Sequence, residues 1–165
     1  MTISLHAERI LGSALCDQNL AKELIDAINT ASAGGGAAGG SNDTYGSENK
    51  DAVSFYVGNA VCVHGSGTGT LLATAADPSR PGVGLATVGV APGHAETVQC
   101  AGIFPLSDWS AVTGTALLAA RATYWLSATA GLLTNVPPTS GILQKMGVAV
   151  STTELELNID SPTLL

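Results

Sequence analysis

The chain is poor in charge. Asp, Glu, Lys and Arg make up 12% of its 165 residues, about half the roughly 25% usual in soluble domains. Its cations are three Lys (Lys22, Lys50, Lys145) and three Arg (Arg9, Arg80, Arg121), scattered singly in a chain of net charge −7. Nucleic-acid binding needs several phosphates neutralised together, so no direct contact with DNA or RNA is expected. Cysteine is scarce as well. Cys16, Cys62 and Cys100 are odd in number and lack CxxC spacing, which argues against a disulfide framework or a zinc ribbon. Their plain reading is reduced, buried thiols, with a Cys62–Cys100 bridge left open. No apolar run approaches the about 18–20 residues of a membrane span. The opening MTISLHAERILGSAL has neither the basic region nor the continuous apolar stretch of a secretory leader. The expectation is a soluble protein made in the cytoplasm, with no membrane partner.

What the chain does have is apolar content, 45% of its residues, enough for one core of ordinary size. A surface rich in Ala, Gly, Thr and Ser with little charge is better suited to being covered by other subunits than to standing alone.

Three segments follow from the pattern. Residues 1–33 read as a helical arm. Ile10, Leu11 and Leu15, then Leu20, Leu24, Ile25 and Ile28, recur at helical spacing, with Asp17 or Asn19 placed to cap a second helix. Helices this short need a surface to pack on. Residues 34–50 read as a linker, with five glycines in the first seven positions. Such a tether spans about 23 Å as a random coil and at most about 60 Å stretched.

Residues 51–165 read as a β domain. Val53, Phe55 and Val57 alternate with polar or small residues, Val61–Val63 follows, and further strands are expected at Thr70–Thr74, Val83–Val90, Glu96–Ile103, Val112–Leu117, Thr123–Ala128, Ile142–Val150 and Glu154–Ile159. Pro and Gly punctuate them, a spacing that indicates a mainly β chain built as a small β-sandwich or β-barrel. A helix over Ala116–Ala122 is the competing reading of that stretch.

No motif carries chemistry. The run Gly65-Ser66-Gly67-Thr68-Gly69 is not followed by the Lys of a phosphate loop, and reads as a turn. A G-x-S-x-G nucleophile elbow is absent. Cys62, His64, His94 and Cys100 are soft ligands, but their spacing matches no zinc module. Glycosidase work needs paired carboxylates, and Asp108 beside Trp109 is the best single candidate, because a sugar can stack on an indole. Its plain reading is a turn-capping Asp next to a core Trp. Glu154 and Glu156 share one strand face and read as solvated. Tyr124 and Trp125 point to opposite faces, one to the core and the other toward a neighbouring subunit. The reading is therefore of a protein that is not an enzyme, with no catalytic residue, no metal and no cofactor.

One resemblance is specific. Thr123-Tyr124-Trp125-Leu126-Ser127, Gly131-Leu132-Leu133-Thr134, Val136-Pro137-Pro138 and Gly147-Val148-Ala149-Val150-Ser151-Thr152-Thr153-Glu154-Leu155 resemble a module of virion structural proteins of tailed bacteriophages. It recurs in head fibres, capsid decoration (cement) proteins and tail-fibre segments. The stretch from Gly58-Asn59-Ala60-Val61 through Val83-Gly84-Leu85-Ala86 to Val98-Gln99-Cys100-Ala101-Gly102 is similar, more loosely, to capsid cement proteins. The arm of residues 1–33 is a departure from those that consist of little more than the β domain. The resemblance implies a β-tulip-like domain, a homotrimer, a major capsid protein as partner, a place on the capsid surface of the virion, and a role in bridging capsomers. The alternative it implies is a tail-fibre or receptor-binding protein.

Overall fold

The computed structural model describes residues 42–165. The expected arm, residues 1–33, and the glycine-rich start of the linker lie outside the described residues.

The described chain is mainly β, in antiparallel sheets, with a single helical turn. The first sheet contains β1 (Thr44–Glu48), β2 (Ala60–Val63), β3 (Thr70–Leu72), β4 (Gly84–Ala86) and β5 (Ala95–Gln99), in the order β1-β5-β4-β2-β3. The second contains β6 (Ala101–Pro105), β7 (Thr123–Leu126), β8 (Leu133–Thr134), β10 (Lys145–Ala149) and β11 (Glu154–Asn158), in the order β6-β11-β10-β7-β8. A short pair joins β9 (Ile142–Leu143) to β12 (Thr163–Leu164), and the helical turn α1 (Ser110–Thr113) lies between β6 and β7.

Between the two sheets lies the larger core. Ala60, Cys62 and Leu85 come from the first sheet. Phe104, Tyr124, Leu126, Met146, Leu155 and Leu157 come from the second, and Trp109 and Val112 from the α1 region. Strand alternation explains the selection. On β7, Tyr124 and Leu126 are buried while Thr123 and Trp125 are half-buried; on β11, Leu155 and Leu157 are buried between Glu154, Glu156 and Asn158. Full burial contributes roughly 1.5–3 kcal/mol for each large apolar side chain. Trp109 is completely buried and packs obliquely on Phe104, with ring centroids 5.9 Å apart.

The first sheet rolls until its edges touch. Asn49, directly after β1, bridges Thr70 of β3, and the Lys50 N–H donates to the Thr70 carbonyl at 2.9 Å. Within the roll sits a second, smaller core of Phe55, Val61, Ala86 and Val98. Phe55 is held there by paired backbone bonds with Val90, at 2.8 and 3.1 Å.

Several expected boundaries are corrected. The stretch 34–50, read as linker, contains β1 at Thr44–Glu48, which pairs with β5 along its whole length. Its polar sequence hid it, because register with β5 rather than apolar alternation makes it a strand. The alternation at Val53–Val57 does not make a strand; only Phe55 bridges Val90, as a strap. Glu96–Ile103 is not one strand. The chain changes sheets at Cys100, so that β5 and β6 belong to different sheets. Ile142–Val150 divides in the same way around Gln144. Val112–Leu117 is neither the expected strand nor part of an Ala116–Ala122 helix. It is the end of α1, stopped by Gly114 in the left-handed conformation, followed by irregular chain.

Candidate functional site

The residues singled out for chemistry are dispersed. Asp108 is exposed and accepts the Ser110 N–H at 2.9 Å, a bond that holds its carboxyl below the usual range. It caps the turn that opens α1. The neighbouring indole of Trp109 lies in the core with no exposed surface, so it presents no face on which a sugar can stack. Glu154 accepts a hydrogen bond from the Ser151 hydroxyl at 3.1 Å, and Glu156 is exposed.

The soft ligands do not converge either. Cys62 is in the inter-sheet core, and burial pushes its thiol pKa up. Cys100 is half-buried at the corner between sheets, its thiol donating to the Asp43 carbonyl at 3.3 Å. Both are free thiols, so the bridge left open by the sequence is not formed. His64 engages Ser66, 2.7 Å from Nδ1 to the hydroxyl, and His94 lies 3.0 Å from the Pro92 carbonyl. Among the described residues no group of three or more His, Cys, Asp or Glu is placed to hold a metal ion. Residues 65–69 form the β2–β3 hairpin turn, with Gly67 and Gly69 at positive φ.

A shallow groove of about 450 Å³ is lined by Val53, Tyr56, Asn59, Leu72 and Leu132. Its amide, Asn59, is engaged within the domain: Oδ1 accepts the Tyr56 N–H at 2.7 Å, and Nδ2 donates to the Gly131 carbonyl at 3.2 Å.

The outer face of the second sheet mixes apolar, polar and charged side chains. Ile103, Glu156, Val148 and Thr123 lie side by side across four strands, and Trp125 sits on the same face opposite Lys145 and Thr134. Ile103, Val148 and Trp125 are all half-buried. Tyr124 and Trp125 thus divide as expected on one count: Tyr124 enters the core, its hydroxyl accepting the Ala119 N–H at 3.0 Å, while Trp125 faces outward.

What the sequence reading missed is polar and internal. Asn49, Glu96, Gln99 and Gln144 are all buried. Gln99 donates to the Ala101 and Ile103 carbonyls, both at 3.0 Å, occupying acceptors along β6. Asn49 donates to the Val53 and Val90 carbonyls and accepts from Asp51, fastening the Phe55 strap. One signal was available: Glu96 shares strand parity with Val98, which marks it as inward-pointing.

No known family's sequence profile matches the chain, and no curated protein matches its sequence.

Proposed function

We propose that this chain is a capsid decoration (cement) protein of a tailed bacteriophage, a β-sandwich domain that binds the outer shell as a homotrimer and stabilises it by bridging capsomers. One observation carries the reading. The C-terminal segment with the virion-module resemblance supplies four of the five strands of the second sheet, β7, β8, β10 and β11. The resemblance therefore coincides with a structural unit, and that unit has a partly apolar outer face with half-buried Ile103, Val148 and Trp125.

Cement proteins act through repeated, symmetry-related contacts rather than through a pocket. Linked contacts rebind at high effective concentration, so modest individual interfaces suffice. An aromatic anchor suits such contacts, because its large apolar area is gained on burial at an interface core, while Glu156 and Lys145 on the same face are of opposite sign. Trp125 is the anchor of this face and the major capsid protein the partner.

The test uses purified virions and shells lacking the protein. Added protein is expected to bind such shells and to raise the temperature at which they break, and Trp125→Ala is expected to weaken binding while the domain stays folded. Copy number matched to the capsomer count supports the reading. A few copies confined to the tail, with loss of host adsorption on deletion, would overturn it in favour of an adhesin.

A further inference from the structure

The rolled sheet closes on a chain of oxygens that is one proton short when its carboxylate is ionised. At the seam, the Thr70 hydroxyl of β3 lies 3.4 Å from the Glu48 carbonyl of β1 and hydrogen-bonds to Oε1 of Glu96 on β5. Glu96 is only 4% exposed and Thr70 1%. The second carboxyl oxygen of Glu96 is buried without a hydrogen-bond partner, as is the hydroxyl of Tyr45 on β1. Thr70 has one hydroxyl proton and two acceptors to serve. With Glu96 protonated, its O–H donates to Thr70, and Thr70 donates onward to the Glu48 carbonyl, so that three strands are joined. With Glu96 ionised, the Thr70 proton turns to the carboxylate, and the side-chain bond across the seam is lost, leaving the backbone bond from Lys50 to Thr70.

The surrounding groups do not offset a charge there. On β1, Tyr45 is unpartnered, and Glu48 is occupied by Lys50 at 2.7 Å. Beyond the seam, Arg80 is held by Asp51 at 3.2 Å, and Asp51 also accepts the Leu72 N–H of β3. The strap contributes Asn49, Phe55 and Val90, none of them charged. Flanking β5 lie exposed His94, bonded to Pro92, and the thiol of Cys100; Cys62 of β2 lies in the other core. Burial alone pushes the Glu96 carboxyl up to about 7.

We propose that the seam of the rolled sheet is a proton-dependent latch, shut while Glu96 is protonated and loosened when it ionises. The strand whose free edge it loosens is β1, which stays paired with β5 on its other side. The latch does not depend on the virion reading; a soluble domain of any function would show it.

Amide hydrogen exchange on the full chain, at pH 5.5 and 8.5 and corrected for intrinsic rates, tests it. Protection of residues 44–50 and 70–72 is expected to fall by about tenfold or more at the higher pH, while the second sheet changes little. Glu96→Gln, whose amide donates permanently to Thr70, is expected to hold protection high at both pH values. Thr70→Val, which cuts the relay, is expected to leave it low at both. An equal fall in Glu96→Gln, or none in the wild type, overturns the proposal. Should Glu96→Gln not fold, carboxyl ¹³C titration of the wild type decides: a midpoint near 7 supports the latch, and one at the ordinary 4.5 sinks it.

Discussion

Gln144 holds Gly82 as a neighbouring strand would. The Gly82 N–H donates to the Gln144 side-chain oxygen at 2.7 Å, and the side-chain amide donates back to the Gly82 carbonyl at 2.9 Å. The same amide reaches the Asp160 carbonyl at 3.0 Å, so one side chain ties a loop of the first half to the C-terminal segment. Gln144 is buried, so removing it strands backbone groups away from water. Gln144→Leu is expected to cost about 2–4 kcal/mol in urea unfolding. A loss below about 0.5 kcal/mol would show that water replaces the amide without penalty.

Two glycines with nearly the same backbone angle separate conformational strain from collision. Gly114 and Gly141 have φ of 78° and 79°. A Cβ on Gly114 meets open space, whereas one on Gly141 runs into the Ala75 carbonyl, which already accepts the Ile142 N–H. Gly114→Ala is expected to cost about 1 kcal/mol from the left-handed conformation alone. Gly141→Ala should cost at least about 2 kcal/mol more, since the colliding atom is backbone. Equal melting temperatures for the two variants would contradict the described approach of Gly141 to Ala75.

Tyr45 carries a buried hydroxyl without a hydrogen-bond partner. Tyr45→Phe is therefore expected to leave stability at pH 7 unchanged or to raise it by up to about 1 kcal/mol. Burial, followed by the neighbouring Cys100, Glu96 and Cys62, pushes the phenol from 10.0 to about 12. A raised folded-state value means that the folded chain holds the proton more tightly. This contribution is complete below pH 10 and is lost as the pH rises toward 12. Wild type should lose stability across that window, and Tyr45→Phe should lose less. Denaturant midpoints at pH 9.5 and 11.5 make the comparison.

The two described cysteines differ in access. Cys62 is 1% exposed, in the inter-sheet core, while Cys100 is half-buried at the corner. Burial is the largest cause raising both thiol values, so neither is an activated nucleophile. Maleimide labelling of the native chain, read by peptide mapping, should modify Cys100 slowly and Cys62 only on unfolding. Recovery of a peptide joining Cys62 to Cys100 by a disulfide from freshly isolated native protein would contradict the free thiols described at both positions.

The residues that were legible in the sequence were those whose alternation is strict. Glu154–Asn158 reads as a strand with Leu155 and Leu157 inward, and so it is. Thr123–Leu126 is legible for the same reason, as is the burial of Tyr124 beneath its outward neighbour Trp125. Trp109 behaves as the plain reading expected: its indole is core, and Asp108 caps a turn. Thr44–Glu48 was not legible, because its pairing partner lies some fifty residues on and its own sequence carries no apolar face. Neither was the break at Cys100. There an apparently continuous run leaves one sheet and enters another, with Gly102 at a φ of 84° just inside β6.

By itself the sequence determined the local alternatives: where strands are favoured, where Pro and Gly interrupt them, and which side chains are too apolar to remain in water. Those are short-range properties of backbone sterics and hydration, readable residue by residue. The tertiary structure alone decided what lies opposite what. It rolled the first sheet until Asn49 met Thr70, and it turned Gln144 and Gln99 from surface-type residues into internal hydrogen-bond partners. It also placed Glu96 against the Thr70 hydroxyl, with its second carboxyl oxygen buried and unpartnered. The physical reason is that the environment of a polar side chain is set by groups distant in the chain, and a carboxyl's proton is held or released according to that environment.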